Sequence, residues 1–147
     1  MSRTLRRLVD PDYSRVVNEI HYLLLSAALT WIMIMTAAEL HTATWTRSGA
    51  KLAFGNRVAL PPPSAMAARA DRAAKNMLEN LVLFITVVVA ARSAGTDASF
   101  GSAIFFFGRL GYFFTYVAGI TYVRSLLWGV ALFGVVWIGF GAVGIVH

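Results

Sequence analysis

Four long apolar stretches alternate with polar segments along the chain, at about residues 20–40, 65–93, 98–119 and 122–146. About 20 apolar residues in helical form cross the hydrocarbon core of a bilayer. Each stretch is long enough for one crossing, so the pattern predicts four transmembrane helices. The connections leave no room for a second folded unit. We therefore expect an all-α, four-helix bundle that forms a single membrane domain over residues 1–147.

Composition supports a multi-pass membrane protein over a soluble one. Hydrophobic residues make up 58% of the chain and charged residues 14%, whereas soluble domains carry about 25% charged residues. The net charge of +6 comes mostly from basic residues beside the apolar stretches, including an arginine-rich segment ahead of the first span (Arg3, Arg6, Arg7 and Arg15). Such residues are typical of membrane topology and contact with anionic lipids, so we expect lipid partners and no nucleic acid.

Metal and cysteine chemistry find little support in the sequence. The chain contains no cysteine, which excludes disulfides, thiolate-bound metals and cysteine nucleophiles. Ionisable pairs bracket the first span: Glu19 with His21, and Glu39 with His41. We interpret them as helix-end residues at the membrane interfaces, because no third ligand lies near either pair in sequence.

The connection after the first span is predicted to be the longest loop. It runs from Thr42 to about Ser64 and ends with three consecutive prolines at 61–63. Prolines prevent a continuing helix, and Ser64 is a suitable N-cap for the next one. We expect this loop to contact a partner or to admit substrate.

Polar residues recur on one face of the second, third and fourth helices. Spacings of three and four residues place side chains on the same side of a helix. Polar groups in a bilayer should face a bundle interior or a hydrated cavity, because exposing them to lipid is costly. The set comprises Arg69, Arg72, Asn76, Glu79 and Asn80 on the second helix, Arg109, Tyr112 and Tyr116 on the third, and Arg124 and Ser125 at the start of the fourth.

Two interpretations of these faces remain open. In the structural one, a Glu79–Arg109 ion pair is the centre of a closed network that fixes helix register. In the other, four arginines exceed the one carboxylate and bind a carboxylate-bearing ligand bidentately. Asn76 both donates and accepts hydrogen bonds, as a peptide backbone requires. The second interpretation therefore predicts a small, flexible, peptide-like anion.

The combined motif resembles the MAPEG family, membrane-associated proteins in eicosanoid and glutathione metabolism. It reads Arg72-x3-Asn76-x2-Glu79-Asn80, then Arg109-x2-Tyr112-x3-Tyr116, then Arg124-Ser125, and it is most similar to that of short bacterial members. The resemblance implies a homotrimer with glutathione bound between neighbouring subunits, and we expect the inner membrane of a bacterium. It assigns glutathione contacts to Arg72, Asn76, Glu79, Arg109, Tyr112 and Tyr116, and thiolate stabilisation to Arg124, followed by Ser125.

Three functions follow from these observations. The favoured one is a glutathione-dependent membrane transferase or peroxidase that acts on lipophilic electrophiles or hydroperoxides through an arginine-stabilised thiolate. The alternative is a non-enzymatic subunit of a larger membrane complex, in which the polar faces only lock the helices together. A channel or transporter is disfavoured, because the sequence shows neither an inverted repeat nor a discontinuous helix.

Overall fold

The computed structural model describes residues 11–55 and 61–145, with side chains from residue 17 onward. The predicted interfacial arginines Arg3, Arg6 and Arg7, the side chain of Arg15 and the predicted end of the last span at Val146 lie outside these residues. The described part of the chain holds five helices and no strand. They are α1 (Pro11–Thr42), α2 (Arg47–Phe54), α3 (Ala65–Ser93), α4 (Ser99–Ala118) and α5 (Thr121–Ala142).

The predicted loop between the first two spans contains the short helix α2, which was not predicted. The Thr46 side chain accepts a hydrogen bond from the Gly49 amide at 3.0 Å and caps the start of this helix. Proline disrupts a helix only locally, so the prolines at 61–63 do not prevent a helix earlier in the loop. Ser64 caps α3 as predicted, since its hydroxyl accepts from the Ala67 amide at 3.1 Å.

Three helices of the described chain are long and apolar enough to cross a membrane: Val17–Thr42, Ala65–Ser93 and Thr121–Ala142. The predicted third span, which corresponds to α4, is not among them. This helix carries Arg109 together with several glycine, serine and tyrosine residues, which lower its hydropathy. Large apolar side chains such as Leu24 and Trp31 lie exposed on the outer surface. They suit contact with lipid, and the chain is an integral membrane protein.

The four long helices pack on one another through an apolar core. Helix α1 contacts α3 and α4, while α3 also contacts α4 and α5. Met33, Met77 and Ile138 are buried in this core. The rings of Phe84 and Phe105 stack with their centroids 4.1 Å apart, which fixes the position of α3 against α4.

Helices α4 and α5 pack closely where a glycine of one meets a glycine of the other, at Gly101 and Gly134. A Cβ atom on Gly134 would lie 2.6 Å from the carbonyl oxygen of Gly101 and 2.9 Å from the Phe105 amide nitrogen. Small residues allow this close packing of membrane helices. Gly134 therefore serves this close packing, whereas the space around Gly129 is open.

Glu19, predicted to be a helix-end residue, is buried within the chain. Its side chain is 3% exposed and accepts a hydrogen bond from the Ala98 amide at 2.8 Å. Ala98 is the residue before the first turn of α4. The α3–α4 connection folds back onto α1 and covers the carboxylate, which thereby satisfies an amide at the start of α4.

Candidate functional site

Asn76 and Arg109 join α3 to α4 at the centre of the polar faces. Nη1 of Arg109 donates a hydrogen bond to the side-chain oxygen of Asn76 at 2.8 Å. Asn80, one turn further along α3, donates from its amide to the carbonyl of Asn76 at 2.8 Å and so stays on its own helix. Asn76 is therefore the α3 residue that meets the buried guanidinium.

The guanidinium of Arg109 is incompletely satisfied. Its side chain is 0% exposed, yet Nε and Nη2 have no hydrogen-bond partner within the described chain. Its Cζ atom lies 5.4 Å from the ring centroids of both Phe105 and Tyr112, which is cation–π distance. Aromatic faces stabilise the charge, but they accept no hydrogen bond in the plane of the guanidinium. Two buried donors are thus left without an acceptor inside the described chain.

Tyr116 connects two further arginines to this cluster. Nε of Arg72 lies 3.4 Å from the tyrosine hydroxyl, and Cζ of Arg124 lies 4.6 Å from the centroid of the same ring. The rings of Tyr112 and Tyr116 meet edge to face with centroids 5.2 Å apart. Tyr112 and Tyr116, one turn apart on α4, therefore contact three arginines: Arg72 of α3, Arg109 of α4 and Arg124 of α5.

The structure brings together six of the eight predicted site residues: Arg72, Asn76, Arg109, Tyr112, Tyr116 and Arg124. The predicted Glu79–Arg109 ion pair is wrong, because Asn76 takes the place of the carboxylate. Glu79 points outward from α3 and is exposed. Ser125 is exposed as well, and its hydroxyl donates to the carbonyl of Thr121 in its own helix at 3.2 Å.

A model of the MAPEG family matches residues 18–144. The chain belongs to the MAPEG family. Neither a curated protein nor a solved structure matches this MAPEG protein. The match extends from residue 18 in α1 to residue 144, just beyond the end of α5, so it includes every residue of the polar cluster.

The donor set of the cluster fits glutathione, the thiol tripeptide associated with this family. Glutathione carries two carboxylates and two amide linkages, which require cationic partners and groups that both donate and accept. Arg109 offers Nε and Nη2, and Arg72 is exposed with one long contact to Tyr116. The residues present are of the types that such a ligand requires.

A groove of about 690 Å³ lies beside the cluster, between α1 and α3. Ile34, Ala37 and Leu78 form part of its apolar wall, and His41 lies at its polar end. Arg72 is the member of the cluster that lines it. The groove and the cluster therefore share one boundary on α3.

Arg69 belongs to the polar face of α3 but not to the eight predicted site residues. It lies one turn before Arg72 on the same face of α3, and its Nε donates to the carbonyl of Val117 at 3.0 Å. That carbonyl belongs to the last turn of α4. The shared spacing had placed Arg69 with the ligand-binding arginines, but only the structure shows that a backbone acceptor engages it.

Proposed function

We propose that this MAPEG protein is a glutathione-dependent membrane transferase or peroxidase. The observation that carries the proposal is the incomplete pairing of the buried Arg109 guanidinium, which stands beside Tyr112 in a cluster of three arginines. Burying an unpaired charged donor is costly, and a closed structural network would leave none. A bound anion such as glutathione would complete the pairing.

The residues divide into those that hold glutathione and those that act on its sulfur. Arg72, Arg109 and Glu79 provide charges for its carboxylates and its ammonium group. Because the Asn76 oxygen already accepts from Arg109, its amide hydrogens remain to donate to a peptide carbonyl. Tyr112 and Tyr116 form the wall. Arg124 and the neighbouring Ser125 lie in the first turns of α5, and the positive charge of Arg124 stabilises the thiolate.

Glutathione supplies a thiol, and the protein supplies the means of ionising it. A guanidinium close to sulfur stabilises the thiolate and lowers the pKa of the thiol, which is about 8.5 in free cysteine. The thiolate sulfur then bonds to the electrophilic carbon of a lipophilic substrate, whose leaving atom takes up a proton. With a hydroperoxide, two glutathione molecules are oxidised to the disulfide while the substrate is reduced to an alcohol and water. Both substrate classes reach the site from the bilayer.

The proposed assembly is a homotrimer of four-helix bundles, located in the inner membrane of a bacterium, with glutathione between neighbouring subunits. Support comes from family membership and from the position of the ligand-binding side chains. Arg72 and Glu79 are exposed on the single chain, so a second subunit would be needed to enclose a ligand that they contact. The mass of the complex in detergent tests this: a trimer is expected, and a monomer would refute it.

A second candidate function has its own support. Arg69 already has a backbone acceptor and Arg109 has Asn76, as a network that only locks helices together would require. The chain would then be a non-enzymatic subunit of a larger membrane complex. Purification with a partner of defined stoichiometry, without affinity for glutathione, would favour this alternative.

Binding of S-methylglutathione to the protein in detergent tests the proposed pocket separately from its thiol chemistry. The analogue keeps both carboxylates but cannot form a thiolate. Arg72→Ala should weaken its binding about tenfold or more, because a charge-assisted hydrogen bond is lost. Arg47→Ala, which removes an exposed arginine of α2, is the matched control and should bind as the parent does. Equal affinity in both variants would show that Arg72 contacts no ligand.

A further inference from the structure

Helix α4 is held at both of its ends by charged side chains from other helices. At its start, the Glu19 carboxylate of α1 accepts from the Ala98 amide at 2.8 Å. At its end, the Arg69 guanidinium of α3 donates to the Val117 carbonyl at 3.0 Å. An acid at the amino end and a base at the carboxyl end match the helix dipole and satisfy backbone groups that lack partners within the helix.

The end held by Arg69 is the one that leads to the site. Tyr116 precedes Val117 directly, and the α4–α5 turn follows with Gly119 in the left-handed conformation (φ 83°). In this turn the Gly119 amide donates to the Tyr116 carbonyl at 3.0 Å, and the Ile120 amide donates to that of Thr115 at 2.9 Å. Six residues separate Val117 from Arg124. The position of the turn therefore sets where Arg124 stands over the Tyr116 ring.

We infer that Arg69 is a positioning residue, which fixes the α4–α5 turn to α3 and thereby holds Arg124 in place. Arg69 and Arg72 act from successive turns of α3 on neighbouring groups, since Arg69 binds the backbone just beyond Tyr116 and Arg72 approaches the Tyr116 hydroxyl. Arg69 itself contacts no ligand. Its contribution to catalysis rests on the proposed function, whereas its hold on the turn does not.

The opposite end of α4 offers a matched control. Helix α4 has 20 residues, so its ends lie about 30 Å apart at 1.5 Å per residue. Arg69→Met removes the donor at one end, and Glu19→Gln weakens the acceptor at the other. Both variants disturb a helix end of α4, but only the first disturbs the end near Arg124. Arg69→Lys keeps a charged donor and should restore most of the lost restraint.

The first measurement is amide hydrogen exchange at Gly119 and Ile120 in the detergent-solubilised protein. Arg69→Met should speed exchange at these amides about tenfold, as expected for the loss of a hydrogen bond from a charged donor. Glu19→Gln should leave them unchanged, and Arg69→Lys should lie close to the parent. Unchanged exchange in Arg69→Met, or an equal rise in Glu19→Gln, would overturn the inference whether or not glutathione binds.

The second measurement is the pH titration of the glutathione thiolate band in the ultraviolet. Arg69→Met should move the titration midpoint upward while S-methylglutathione affinity changes little, because Arg124 shifts and the carboxylate contacts stay. Glu19→Gln should keep the parent midpoint. A parent protein without a thiolate band refutes the proposed function, and the exchange data then still decide whether Arg69 holds the turn. A parent band that Arg69→Met does not alter refutes the positioning role.

Discussion

Nη1 of Arg109 donates to the side-chain oxygen of Asn76 at 2.8 Å, a hydrogen bond between side chains that joins α3 to α4 within the polar cluster. A neutral amide, instead of a carboxylate, therefore faces the buried guanidinium. An amide oxygen orients the arginine without neutralising it. The positive charge stays available to a ligand, which a Glu79–Arg109 pair would have prevented.

Replacing Asn76 by leucine should destabilise the protein. The change leaves Nη1 of Arg109 without an acceptor inside the structure, at a cost of about 2 kcal/mol. Asn76→Asp keeps an acceptor and adds an opposite charge, so it should retain the stability of the parent while binding glutathione more weakly. Thermal unfolding in detergent measures the first effect and titration with S-methylglutathione the second. Equal melting temperatures for Asn76→Leu and the parent would contradict the importance of this bond.

Replacing Glu79 by glutamine should leave stability nearly unchanged. Glu79 is exposed and pairs with no cation in the described chain, so the change in unfolding free energy should stay within about 0.5 kcal/mol. Glutathione affinity should nevertheless fall, because the ammonium group of the ligand loses its carboxylate partner. Thermal unfolding and calorimetric titration of the same sample separate the two effects. A large drop in melting temperature with intact affinity would mean that Glu79 is structural.

The contrast between Glu79 and Asn76 shows what the sequence could and could not predict. Spacing placed both residues on one face of α3, opposite Arg109 of α4, but in the structure Asn76 meets Arg109 and Glu79 is exposed. It could not say which of two residues, one turn apart, meets the arginine. That register depends on how α3 packs on α4, and the stacked rings of Phe84 and Phe105 help to set it.

Other differences between sequence and structure have similar causes. The prolines at 61–63 and the Ser64 cap located the start of α3, and apolar length located the start of α5 but not its end, which lies at Ala142. The short helix α2 mixes polar and apolar residues and is too short to give a clear hydropathy signal, although Thr46 marks its start. The burial of Glu19 was not predicted, because it depends on the α3–α4 connection folding over it, a contact between residues 79 positions apart.

Adding a methyl group at Gly134 should separate α4 from α5. A Cβ atom there would lie 2.6 Å from the Gly101 carbonyl oxygen. Because this distance is shorter than a van der Waals contact, the backbone would have to move. Gly134→Ala should therefore lower stability by about 1–3 kcal/mol. Gly129→Ala, in open space on the same helix, is the control and should be neutral or slightly stabilising because alanine favours helix. If both variants unfold at the same temperature, the close contact is not a determinant of stability.

The measurement that tests the central claim most directly is the thiolate band of bound glutathione near neutral pH, in the parent, in Arg124→Ala and in the control Arg47→Ala. The parent and the control should both show the band, because Arg124 lowers the pKa of the thiol and the thiolate persists below the usual value near 8.5. Arg124→Ala should lose it at neutral pH while the protein still assembles and still binds S-methylglutathione. A band of equal strength in Arg124→Ala, or none in the parent at saturating glutathione, would contradict the account.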